Sequence, residues 1–83
     1  MRTKLERRKT RKVLLDTVDK VKVFVRCTSK FMRDVQLMSG RYVIDAKSIL
    51  GVMSLDLSKP VLVSIHEDDV ELADMLIKKF YVR

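Results

Sequence analysis

The chain has no tryptophan, one cysteine, one histidine, one proline and two glycines. Without tryptophan, and with only Tyr42 and Tyr81 as tyrosines, its core has to come from Val, Ile, Leu, Phe and Met. The single Cys27 excludes an internal disulfide and fits a reducing cytosol. One cysteine and one distant histidine, His66, cannot close a four-ligand metal site, so neither metal nor cofactor is expected. No apolar run approaches the ~20 residues that cross a bilayer. No apolar stretch follows the basic start as it would in a secretory signal. A cytoplasmic location without a membrane span is the expectation. No repeat or low-complexity linker interrupts the 83 residues, which make one small domain. A domain of this size buries only ~60 % of its unfolded surface or a little more.

The net charge of +7 is unevenly spread. Arg2, Lys4, Arg7, Arg8, Lys9, Arg11 and Lys12 stand against Glu6 alone, while the remainder is almost neutral. The basicity therefore belongs to a segment and not to the fold. Residues 1–8 hold hardly any apolar side chains, so burial cannot offset their ordering entropy, and they are expected to form a flexible arm ahead of a domain at 9–83.

A strand is predicted from Lys9 or Thr10 to Leu15. Asp16 and Thr17 are both good N-caps for a helix with Val18, Val21, Phe24, Val25, Thr28 and Phe31 at helical spacing. Its valines are poor helix formers, so tertiary packing must hold it. Asp34–Met38 reads as a strand with Val35 and Leu37 inward, Ser39-Gly40 as a two-residue turn and Arg41–Ile44 as the partner strand. Asp45–Leu55 is a short helix, and Val61–Ile65 a buried strand behind Lys59-Pro60. Asp68 with Glu71 three residues on makes a capping box for a helix presenting Val70, Ala73, Ile77 and Phe80. The order strand, helix, strand, strand, helix, strand, helix predicts an α+β two-layer open-faced sandwich, βαββαβα, with helices on one face.

Within this order, Lys47-Ser48-Ile49-Leu50-Gly51-Val52-Met53-Ser54-Leu55 resembles the second helix of HPr, the histidine phosphocarrier of the bacterial sugar phosphotransferase system. Ser29-Lys30-Phe31 supports the resemblance more weakly, and the whole of it runs from about Val13 to Phe80. It implies a four-stranded antiparallel sheet ordered 1-4-2-3, which the residues alone do not settle. It also implies a Gly-x-His-Ala-Arg-Pro loop at the mouth of the first helix. Counting back from Ser29 without gaps puts the histidine at Thr17, the arginine at Asp19 and the proline at Lys20. A shortened loop through Leu15-Asp16-Thr17 fits equally well, and either alignment removes the histidine.

The loss matters chemically. A phosphocarrier needs a nucleophile titrating near neutrality, which imidazole supplies at about pH 6.5. A threonine hydroxyl is a poor unassisted nucleophile whose phosphate ester is hard to hand on, and Asp16 and Asp19 repel a phosphoryl group. His66 is expected on the surface, beside the Glu67-Asp68-Asp69 cap and at the far end of the sheet. No catalytic residue and no enzyme activity are expected.

The resemblance aligns Ser48 with the serine that HPr kinase modifies in Gram-positive relatives. The plainer reading is an N-cap contributing ~1 kcal/mol. Leu50 and Met53, with Gly51 allowing close approach, would dock a partner while Ile49 and Val52 turn inward; the alternative is that Leu50 and Met53 complete the core edge. The cations Arg7, Arg8, Lys9, Arg11 and Lys12 form either a polyanion contact or a solvated arm that discourages edge pairing.

Two classes of function follow. One is an HPr-like protein without phosphocarrier activity, a regulatory adaptor presenting its short helix to a phosphotransferase-system enzyme or a transcriptional regulator, gated by phosphorylation at Ser48. An HPr-like catabolite-repression paralogue, which lacks the histidine and keeps the serine, is a precedent. The other is a small basic nucleic-acid-binding protein that uses the sandwich as scaffold, without interleaved aromatics or a groove-reading motif.

Overall fold

The computed structural model describes residues 7–83. Its strands are β1 (Arg8–Val13), β2 (Val35–Ser39), β3 (Tyr42–Asp45) and β4 (Val61–His66). Its helices are α1 (Val18–Thr28), α2 (Ile49–Met53) and α3 (Val70–Leu76), with 3-10 turns at Glu67–Asp69 and Lys78–Phe80. The strands are antiparallel to every neighbour and ordered β1-β4-β2-β3. The open-faced sandwich and the strand order implied by the resemblance are thus what the chain forms.

Alternation along the strands decides which face is covered. Val13 pairs with Val61, Leu37 with Val63 and Val35 with Ile65, and all six side chains are buried. α1 sets Val21, Phe24 and Thr28 against them, and α3 and the turn behind it add Ala73, Ile77 and Phe80. Phe24 meets Phe80 edge-on, with ring centroids 5.7 Å apart. Each buried Val, Leu, Ile or Phe is worth ~1.5–3 kcal/mol, which is what holds a valine-rich helix together. The opposite face carries Thr10, Lys12, Gln36, Met38, Leu62 and Val43 in the alternate register.

β1 starts at Arg8, earlier than the expected Lys9 or Thr10, and the Arg7 carbonyl accepts the Glu67 N–H at 2.8 Å. The cause is a polar anchor that hydropathy does not register. Arg8 donates from Nε to Ser64 Oγ at 2.6 Å and from Nη2 to the carbonyls of Ser64 and Asp34, both at 2.9 Å. Residues 1–6 of the expected arm lie outside the described residues. Deleting residues 1–8 should therefore lower the melting midpoint by roughly 5–10 °C, the equivalent of ~1–2 kcal/mol of charge-assisted hydrogen bonding. Coincident melts of the full chain and the chain from Lys9 onward would contradict this.

Three further expectations shift. The hairpin turn is Gly40-Arg41 and not Ser39-Gly40: Ser39 pairs with Tyr42, and Gly40 takes the left-handed φ of +59° that its missing Cβ permits. This moves both strands one residue along. α2 is shorter than Asp45–Leu55 because Asp45 still belongs to β3. α1 stops at Thr28, whose hydroxyl donates to the Ala46 carbonyl at 2.8 Å, so Phe31 is buried by the turn after the helix; Val18 in the first turn stays 51 % exposed.

The expected Asp68–Glu71 capping box does not form. His66 caps the 3-10 turn ahead of α3 instead, its Nδ1 accepting the Asp68 N–H at 3.0 Å. Its side chain is 17 % exposed, so it is not the surface residue the sequence suggests. The buried Asp69 is engaged elsewhere. Its two carboxylate oxygens accept the N–H groups of Met32 and Arg33 at 3.1 and 2.8 Å, tying the loop after α1 to the start of α3.

Candidate functional site

The short helix α2 is built around one serine. Ser48 holds an extended backbone, and its Oγ accepts the Gly51 N–H at 3.2 Å, so it is the N-cap. Lys47, just ahead, is held at both ends: its N–H donates to Asp45 Oδ1 at 2.8 Å and its Nζ to the Phe31 carbonyl at 2.9 Å. Val52 is fully buried and pins the helix to the core, while Leu50 is 81 % and Met53 44 % exposed. Both stand outside the core edge. Ile49, expected inward, is 39 % exposed and joins them. In a single turn and a half one valine suffices as anchor, which leaves the neighbouring isoleucine on the rim. A Cβ at Gly51 would lie 3.3 Å from Ser48 Oγ and 3.6 Å from Ile44 Cδ1, so the glycine makes room for the cap and the hairpin beneath it. The helix therefore offers an apolar rim of Ile49, Leu50 and Met53 next to a capped hydroxyl.

The mouth of α1 has a different character. Thr17 is the N-cap, and its hydroxyl accepts the Lys20 N–H at 3.1 Å. Asp16 and Lys20 form an ion pair at 2.8 Å, and that hydrogen bond holds the Asp16 carboxyl below the usual carboxylate range. Asp19 adds a second carboxylate in the first turn. The Lys20 ammonium is thus already neutralised by a carboxylate, and no imidazole stands here. A groove of about 370 Å³ beside the mouth is lined by Asp19, Lys20, Val23, Lys79 and Phe80, none of them a nucleophile suited to phosphoryl relay. His66 pairs with Arg8, whereas Val61 pairs with Val13 at the α1 end of the sheet. Those two ends of β4 are ~17 Å apart, so His66 cannot serve the mouth of α1.

The five cations of the basic segment are unequally engaged. Arg7 is 3.2 Å from Glu67, Arg8 spans Ser64 and Asp34, and Arg11 lies 3.7 Å from Asp74. Asp74 also accepts the Tyr81 hydroxyl at 2.7 Å; burial first, then this carboxylate, pushes the phenol up from its ordinary pKa. Lys9 and Lys12 are exposed, and Lys12 Nζ donates to the Arg83 carbonyl at 3.3 Å. Sequence reading missed the roles of Asp69, Asp74 and Tyr81, because no local pattern marks the contacts they make in the fold. Among the described residues no cluster of three or more His, Cys, Asp or Glu could hold a metal, and no helix is long and apolar enough to cross a membrane.

An antiparallel sheet in the order 1-4-2-3, with α1 and α2 each opened by a hydroxyl cap, makes an open-faced sandwich. The family model for the PTS HPr component phosphorylation site matches residues 20–78. The chain belongs to the HPr family. The match begins at Lys20, past Thr17. Among solved structures, HPr-C-His from Thermoanaerobacter tengcongensis is 28 % identical with a TM-score of 0.68, over 88 % of this chain and 93 % of that one. The phosphocarrier protein HPr from Bacillus anthracis str. Ames is 22 % identical with a TM-score of 0.64, over 88 % and 94 %. The second likeness speaks for the fold alone.

Proposed function

We propose that this HPr-family chain is a non-catalytic regulatory adaptor without phosphocarrier activity. It presents α2 to a protein partner, a phosphotransferase-system enzyme or a transcriptional regulator, in the cytoplasm. The observation that carries this reading is the pairing of Ser48 at the α2 N-cap with the exposed rim of Ile49, Leu50 and Met53. An apolar rim on a buried anchor is the kind of surface that fills a pocket on a partner. Phosphorylation of Ser48 by an HPr kinase would set about two negative charges beside that rim, at the end of the helix where its amides favour them. The mouth of α1 supports the other half of the proposal: a threonine flanked by Asp16 and Asp19 offers neither the nucleophile nor the field for a phosphoryl relay.

The docking half is tested at Leu50 and Met53. Leu50→Lys and Met53→Lys should each weaken partner binding by roughly tenfold, the effect of losing one apolar anchor, with melting midpoints close to that of the parent chain because neither side chain is core. Ser48→Asp should change partner affinity and leave the fold intact, since aspartate is as good an N-cap as serine. Binding that is indifferent to all three substitutions would place the docking surface elsewhere.

A further inference from the structure

β1 is an edge strand, and its hydrogen-bonding pattern divides its residues into two sets. Arg7 directs its carbonyl to Glu67, on the β4 side. Lys12 and Leu14 point the other way: the Lys12 carbonyl accepts the Val82 N–H at 2.9 Å, and the Leu14 N–H donates to the Phe80 carbonyl at 3.0 Å. In an antiparallel ladder the direction alternates at every residue. Arg8, Thr10 and Lys12 therefore turn their backbone N–H and C=O groups outward, and Lys9, Arg11 and Val13 turn theirs to β4. The segment around Tyr81 has begun a fifth strand here, bridging Val13 and bonding as far as Lys12. Beyond it, no backbone group of the described residues pairs with Arg8 or Thr10 on the outer side. The Thr10 carbonyl takes only an exposed hydrogen bond from the Arg11 guanidinium at 3.1 Å.

Charge distinguishes what this open stretch can accept. Arg7–Lys12 carries five cations and no acid, and the carboxylates that pair with it are Glu67 and Asp74. Alternation places exposed Lys9 on one side of the sheet and exposed Lys12 on the other. A second copy of the same edge would be repelled, which is how natural edges avoid self-pairing. An extended segment rich in Asp or Glu meets the opposite situation, with a lysine for its side chains on either face.

We infer that the outer edge of β1, at Arg8 and Thr10, is a strand-addition site for an acidic extended segment of a partner protein. The segment continues the line begun by Tyr81–Val82 and takes the outward N–H and C=O groups as its hydrogen-bond partners. The site lies at the edge of the sheet opposite β3, to which α2 is joined, and it stands whether or not α2 docks anything. A nucleic acid would use the same lysines but has no use for the outward amide groups. Those groups favour the peptide.

Amide hydrogen exchange on the full chain separates the outcomes. The probes are a blocked peptide repeating Glu-Glu-Val-Val, which sets Glu on both faces of an extended chain, its counterpart with Lys for Glu, and an oligothymidylate. The acidic peptide should slow exchange at Arg8 and Thr10, and the lysine peptide should not. Thr10→Pro removes an outward N–H without touching the bonds to β4, and should weaken the acidic peptide roughly tenfold, as expected for the loss of about one edge hydrogen bond with its register. Should that variant fail to fold, Lys9→Glu combined with Lys12→Glu is the second test, and it should abolish binding in a chain that still melts cooperatively. Unchanged exchange at Arg8 and Thr10 with the acidic peptide would overturn the inference. Oligothymidylate binding as tight as the peptide's and indifferent to Thr10→Pro would overturn it too, in favour of plain polyanion contact.

Discussion

Incubated with phosphoenolpyruvate and Enzyme I, this chain is expected to remain unlabelled. Phosphoryl relay needs a group that is nucleophilic near neutrality and whose adduct is readily surrendered, and imidazole meets both conditions. At the mouth of α1 the cap position holds Thr17, whose hydroxyl is occupied in accepting the Lys20 N–H. Asp16 and Asp19 add negative charge where a phosphoryl group would have to approach, and Asp16 already holds the Lys20 ammonium. The single histidine of the chain is at the other end of β4, where its Nδ1 accepts the Asp68 N–H. An acid-labile, base-stable label on any residue, His66 included, would contradict this expectation.

The second large effect is on stability. Phe24→Ala is expected to destabilise the fold by ~3–5 kcal/mol, the usual cost of emptying a buried aromatic site. Phe24 is fully buried, stands edge-on to Phe80, and joins α1 to the C-terminal turn across the same core as the sheet. A chain of this length has a total stability of roughly 4–12 kcal/mol, so the substitution removes a large part of it. Urea titration should show a midpoint far below that of the parent. Val18→Ala on the exposed first turn of the same helix should change stability by no more than ~0.5 kcal/mol. Equal midpoints for the two variants would contradict the described core.

What the sequence makes legible follows from where the deciding interactions lie. Element order, the α1 core face at Val21 and Phe24, and the Ser48 cap are set by neighbours three or four residues apart, and they stand as expected. The strand order comes from the resemblance to HPr and not from any periodicity, since alternation assigns a face but no neighbour. The misplaced features depend on contacts distant in sequence. Arg8 belongs to the sheet because Ser64 and Asp34 receive it; His66 caps the 3-10 turn ahead of α3, and Asp69, at the N-cap position of α3, is drawn off to Met32 and Arg33. Helical spacing assigns Ile49 inward, but α2 is too short to bury more than Val52. At the candidate site, Leu50 and Met53 are legible as residues while their exposure is not, because both readings satisfy the spacing.

Ser48 is where the adaptor reading is tested most directly. The full chain, incubated with ATP and a Gram-positive HPr kinase and then mapped by mass spectrometry, should carry a single phosphate on Ser48. The Ser48→Ala variant should carry none, and should lose only about 1 kcal/mol of stability with its cap. A wild-type chain left unlabelled under conditions that fully label a conventional HPr, or labelled at Thr17 in place of Ser48, would contradict the account.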